Sequence, residues 1–152
     1  MTATYVEAVD DIFGLFNSAW DSNAGSIVGS VPTVYWQGNE PAQTPGKDSF
    51  HVHVGTQTVI EQQTTFKTGV APSENKRYTA NGLVVIQLYC PMSVSDSMDK
   101  GRQLAVLARN AFRGKESANN VWFRNVRINE LPAEDDYYRL NIIADFEYDD
   151  LG

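Results

Sequence analysis

Residues Thr4 to Trp20 place Tyr5, Val9, Ile12, Phe13, Phe16 and Trp20 at helical spacing, and Thr4 with Glu7 forms a capping-box pair. This pattern predicts an amphipathic helix whose aromatic stripe is core. A second helical pattern runs from about Ser95 to Arg113. Leu104, Leu107, Ala108, Ala111 and Phe112 recur at i, i+3, i+4, i+7 and i+8, a core-facing stripe. At about 100° per residue, Arg102, Arg109 and Arg113 fall within roughly 20° of one another on the opposite side. Ser93, Ser95 and Asp96 offer N-caps, and Gly114 offers a left-handed cap past the end.

Between the two helices the period changes to that of strands. Thr33–Gln37 reads as a short strand after Pro32, and Asn23–Ser30 and Gly38–Lys47 as loops rich in Gly, Ser and Pro. In Phe50–Ile60, Phe50, Val52 and Val54 point one way, and His51, His53 and Gln57 the other. Leu83–Cys90 is a nearly unbroken apolar run, as expected of a central strand covered on both faces, and Pro91 stops it. Residues 61–77 are polar and suggest a protruding hairpin arm with its tip near Gly69–Asn75.

Past the second helix, Val121–Leu131 predicts a strand with Trp122, Val126 and Ile128 on one side. Pro132–Asp136 reads as an acidic turn. Tyr137–Tyr148 then alternates: Tyr138, Leu140, Ile142, Ala144, Phe146 and Tyr148 toward the core, Arg139, Asn141, Asp145 and Glu147 away from it, with Asp149 continuing the outer row. The order α-β-β-β-α-β-β, without repeats or linkers, predicts one α+β domain over residues 1–152. Its sheet should be mainly antiparallel, with both helices packed on one face.

The chain has 152 residues, enough for a core without staples. It shows no apolar run of membrane-spanning length and no leader pattern, and Cys90 is its single cysteine. These features predict a soluble cytoplasmic protein. The net charge of −7 argues against nucleic-acid binding as the main task.

The charge is segregated. Five acids and no base precede Lys47; seven bases face three acids from Asp96 to Arg127; eight acids accompany Arg139 from Glu130 onward. Intramolecular pairing and solubility explain this most simply; head-to-tail contact between copies is the sharper reading.

Tests for chemistry return little. His51 and His53 share a strand face but lack a third metal ligand, so solvated side chains are the simpler reading. Asp145, Glu147 and Asp149 are too widely spaced along a strand to wrap one ion. Cys90 has no activating neighbour and reads as a buried inert thiol. No GxSxG, P-loop, GxGxxG or HExxH occurs, so neither an enzyme nor a cofactor is expected.

Nearly the whole chain resembles the tail-terminator and tail-completion proteins of long-tailed bacteriophages. The resemblance rests on a helix ending near Trp20, the strand Val34–Gln37 with its Pro-rich loop, and a strand followed by a polar arm. It continues through Asn81-Gly-Leu-Val-Val-Ile-Gln-Leu-Tyr-Cys-Pro91, a helix with Leu104 and Phe112 in apolar slots, and two closing strands. The arm and the acidic C-terminus depart from the common pattern, which bears on contacts rather than on fold.

The resemblance implies a six-membered ring at the head-proximal end of the tail tube, halting tube growth and meeting the head–tail connector. The implied partners are other copies of the chain, the tube protein, the connector or neck protein, and genome DNA that passes without specific binding; no membrane is involved. The implied location is the virion tail or neck, after assembly in the host cytoplasm. Under this reading Arg102, Arg109 and Arg113 are candidate interface residues against Glu134, Asp135 and Asp136, or against the C-terminal acids, of the next copy. Asp145, Glu147 and Asp149 are candidate lumen residues. The alternatives are a neck or head-completion protein and, more distantly, a metal- or ligand-binding domain on the His51/His53 face.

Overall fold

The computed structural model describes residues 3–39, 48–63 and 77–151. The capping box forms: the Thr4 hydroxyl accepts from the Glu7 N–H at 3.2 Å, and the Glu7 carboxylate from the Thr4 N–H at 3.1 Å. It starts α1 (Tyr5–Asn23), which buries Ala8, Ile12, Phe16 and Trp20 along one row. Tyr5, expected on this stripe, is exposed; Ala8 holds the core position in the first turns. The expected loop after α1 contains instead a helical turn, α2 (Gly25–Val28), because Ala24 keeps right-handed helical dihedrals and donates to the Trp20 carbonyl. Gly29, at φ 89°, ends it where a residue with a Cβ would be strained.

Five strands follow: β1 (Thr33–Trp36), β2 (His51–Gln63), β3 (Arg77–Pro91), β4 (Trp122–Glu134) and β5 (Tyr137–Leu151), with α3 (Ser97–Phe112) between β3 and β4. They form one sheet in the order β1-β2-β3-β5-β4, antiparallel throughout except that β1 runs parallel to β2. The α+β class and the helices on one face agree with the sequence reading. The Gln37 side chain prolongs the short parallel pairing, accepting from Thr56 N at 2.8 Å and donating to Thr56 O at 3.1 Å.

β3 is central, as its composition predicts, but only one of its faces is covered by helices. Val84, Ile86, Leu88 and Cys90 are buried beneath them, whereas Leu83, Val85 and Tyr89 lie half-buried on the open face. α3 approaches β3 so closely that a Cβ on Gly101 would run into the Cys90 sulfur. α1 lies over the β1 side, where Phe13 and Phe16 pack on Trp36 with centroids 5.1 and 6.1 Å apart.

β4 departs from the expected alternation. A bulge between Arg124 and Arg127, with Asn125 at φ 53°, shifts the register against β5. Phe123 therefore packs inward with Val126 and Ile128, and Trp122, expected on their side, is 40% exposed on the open face. In β5 the inward row from Leu140 to Tyr148 is buried, but Tyr138, at the strand's start, is exposed. The foot of the expected arm exists as the pairs Glu61↔Ala80, Gln62↔Thr79 and Gln63↔Tyr78; its tip, Gly69–Asn75, lies outside the described residues.

Candidate assembly surfaces

The first surface is the flank of α3. Because Gly101, Leu104, Ala105, Ala108 and Phe112 are turned into the core, the arginine stripe is turned outward. Arg102 reaches β4 and pairs with Glu130 at 3.0 Å, both side chains more than half exposed. Arg109 donates to the neighbouring Asn110 side chain at 3.4 Å, and among the described residues neither Arg109 nor Arg113 is in an ion pair. At the other end of α3, Asp96 occupies the N-cap position without capping it. Its left-handed backbone (φ 57°) departs from the extended geometry a side-chain cap uses. Ser93, another expected cap, donates to Asp48 instead, and Asp99 in the first turn accepts from Gln103 four residues on.

The second surface is the β4–β5 turn. The expected acidic loop is shorter than the sequence suggests: β4 runs through Pro132 to Glu134, which pairs with Tyr137. Asp135 (φ 48°) and Asp136 (φ 69°) alone make the reversal, the two-residue type in which both residues are left-handed. Glu134 pairs back to Arg139 at 2.9 Å. Asp135 and Asp136 are in no ion pair among the described residues, and the Asp136 carbonyl accepts from Met92 N at 3.0 Å, tying the turn to the end of β3.

The third surface is the open sheet face. Asp145, Glu147 and Asp149 do form one row on it, but not a bare acidic one. Arg127 meets Asp145 at 3.3 Å, Arg124 meets Glu147 at 2.9 Å, Asn125 donates to Asp145 at 2.9 Å, and the Thr79 hydroxyl donates to Asp149 at 2.9 Å. Much of the charge segregation along the sequence thus resolves within the chain, because β4 lies beside β5 and brings the basic band against the acidic C-terminus. These exposed pairs contribute little stability each.

Farther along the same face, His51 and His53 are not solvated side chains. His51 is 5% exposed and His53 half-buried, within a cluster completed by Tyr35, Tyr89 and Tyr137. His51 stacks on Tyr89 (centroids 4.7 Å) and His53 on Tyr35 (5.1 Å); Tyr137 stands edge-on to His51 at 5.2 Å. Burial lowers the pKa of both histidines, and the neighbouring His53 lowers that of His51 further.

No third metal ligand joins them, and among the described residues no group of three His, Cys, Asp or Glu is placed to hold a metal ion. A cleft of about 460 Å³ beside His53 has Tyr35 and His53 as its titratable wall residues among the described ones. Cys90 is fully buried and its thiol is pushed up to about 12 by burial, the inert state the sequence suggests. The three tyrosines of the cluster escaped the sequence reading because β-alternation gives a residue's face but not its neighbour across the sheet.

No family model and no curated protein matches the chain. Solved structures share its fold. One aligns with a TM-score of 0.59 at 14% identity, covering 92% of this chain and 94% of its own. Another, from the virion of a native gene transfer agent particle, aligns with a TM-score of 0.56 at 13% identity, covering 97% of this chain and all (100%) of its own. At these identities the likeness is one of fold.

Proposed function

We propose that this protein is a structural component of a phage-like virion. In the finer reading it is a tail terminator: a hexameric ring on the head-proximal end of the tail tube that ends tube growth and receives the head–tail connector. The observation that carries the proposal is the end-to-end likeness of fold to a chain from a gene transfer agent virion. The resemblance of the sequence to tail terminators points the same way. The surfaces favour assembly over catalysis. The chain displays an arginine flank, an acidic hairpin turn and an open sheet face, and its buried thiol is inert.

In this reading Arg109 and Arg113 are the arginines available for contact between copies, with Arg102 shared between Glu130 and the interface. Asp135 and Asp136 are the available acids of the turn, while Glu134 is held by Arg139. The row Asp145, Glu147 and Asp149 faces the lumen through which DNA slides. Arg124 and Arg127 moderate its charge, so it repels DNA less than three bare carboxylates would. Tube protein, connector and passing DNA are the partners, and the virion tail or neck is the location.

Electron microscopy of the purified chain, with and without tail tubes, tests the proposal. Six-fold rings, or tubes capped at one end and uniform in length, are expected. Tubes that keep growing beside dispersed monomers would overturn the terminator role, and co-purification with head components alone would favour a neck protein.

A further inference from the structure

The aromatic cluster on the open face has the composition of a cation-binding surface. Its rings come from four strands: Tyr35 on β1, His51 and His53 on β2, Tyr89 on β3 and Tyr137 on β5. Only His51, at the centre, is buried; the other four rings are half-buried and no helix of the protomer covers them. Two exposed carboxylates border the cluster. Asp136 immediately precedes Tyr137 in the turn, and Asp48, which accepts from Ser93, adjoins Ser49, whose carbonyl lies 3.5 Å from His51 Nδ1; burial first, then Asp136 and Asp48, raise the Tyr137 pKa.

The cations nearby do not neutralise the patch. Arg139 stands across from Tyr89 in the next strand but is engaged by Glu134 at 2.9 Å and by the Pro132 carbonyl at 3.1 Å. Lys100 lines a cleft with Asp48, and it is in no ion pair among the described residues. Partly exposed tyrosine faces beside exposed carboxylates that are in no ion pair among the described residues suit a guanidinium, which stacks on rings and pairs with acids at once.

The same chain carries such groups where its own patch cannot use them. Arg109 and Arg113 lie on α3, on the helix-covered side of the sheet, whereas the rings of the patch lie on the open side, at the Tyr89 end of β3 and away from the row Asp145, Glu147 and Asp149 that the ring reading gives to the lumen. A contact between them therefore joins two copies, and it joins different surfaces, the head-to-tail arrangement that closes into rings. We infer that the patch formed by Tyr35, Tyr89, Tyr137, Asp48 and Asp136 is the docking surface for Arg109 and Arg113 of a second copy of this chain. The inference rests on the ring reading and specifies its interface.

Charge exchange in the full chain tests it, read by sedimentation velocity and microscopy at a concentration where the wild type assembles. Arg109→Glu/Arg113→Glu alone, and Asp48→Arg/Asp136→Arg alone, should each weaken association roughly tenfold or more, since like charges then face each other. An equimolar mixture should restore assembly with the two variants alternating around the ring. Circular dichroism confirms that each variant is folded. Assembly that survives either variant, or folded variants that fail to assemble when mixed, would overturn this docking surface. Head-to-tail pairs that respond to the exchange but never close would support it and overturn the ring reading alone. A wild-type chain that stays monomeric at every concentration would overturn both.

Discussion

The imidazole of His51 lies flat on the ring of Tyr89, with centroids 4.7 Å apart and planes 3° from parallel. Burial lowers its pKa, as it does that of His53, below the ordinary 6.5. The unfolded chain therefore takes up protons first as pH falls. The contribution of the neutral histidines is fully present above about 6.5 and is lost as pH falls through their folded values. Urea midpoints should decline from pH 7.5 to pH 5.5, and His51→Phe, which keeps a stacked ring, should flatten the decline. An equal slope in the variant would remove His51 as its source.

Asp11 and Asn119 join distant parts of the chain. The Asp11 carboxylate accepts from the Asn119 backbone N–H at 3.0 Å and from its side-chain amide at 3.2 Å, fastening α1 to the turn before β4. Asp11→Ala leaves a partly buried N–H without its acceptor and should cost about 1–3 kcal/mol. Asp11→Asn, which retains an acceptor, should cost less. Chemical denaturation of the three proteins measures the ranking.

Gly82 sits where β3 passes under Phe146. A Cβ there would collide with the Gln57 carbonyl and the Phe146 ring, neither of which can withdraw from the packed sheet. Gly82→Ala should destabilise by about 1–3 kcal/mol. Gly14 is the internal control: exposed in α1 with nothing within 4 Å of a new Cβ, Gly14→Ala should stabilise by up to about 1 kcal/mol. Thermal melts of the two variants should move in opposite directions.

The Tyr148 hydroxyl is buried with no hydrogen-bond partner among the described residues, and burial, assisted by Glu61, Asp150 and Tyr5, pushes its pKa up to about 12. Tyr148→Phe removes an unsatisfied polar atom and keeps the ring, so stability should be unchanged or slightly higher. A loss above about 1 kcal/mol would mean that the hydroxyl has a partner. Ultraviolet titration should show Tyr148 and Tyr137 ionising late in the wild type, and the variant should lose the Tyr148 step alone.

Helix registers were legible because one apolar face writes a period into the sequence. The buried rows of α1 and α3, the capping box at Thr4 and Glu7 and the inward row of β5 all follow from it. Departures arose where one residue changes the phase. Asn125, left-handed within β4, exchanges Phe123 for Trp122 as the core residue, and no count of alternating positions reveals that shift. Likewise the apolar run of β3 suggested burial on both faces, although composition carries no record of which face the helices choose.

The candidate site divides along the same line. By itself the sequence determined the arginine stripe on α3, the carboxylate row on β5, the shared face of His51 and His53, and the separation of basic from acidic segments, since each depends on local spacing alone. Only the tertiary structure decided that β4 lies beside β5 and neutralises much of that charge, that α3 carries Arg109 and Arg113 on the side of the sheet opposite the aromatic rings, and that Tyr35, Tyr89 and Tyr137 close around the histidines. Those relationships join residues distant in sequence through strand order and register. They emerge when strand edges pair and apolar faces are buried together, and no local period encodes them.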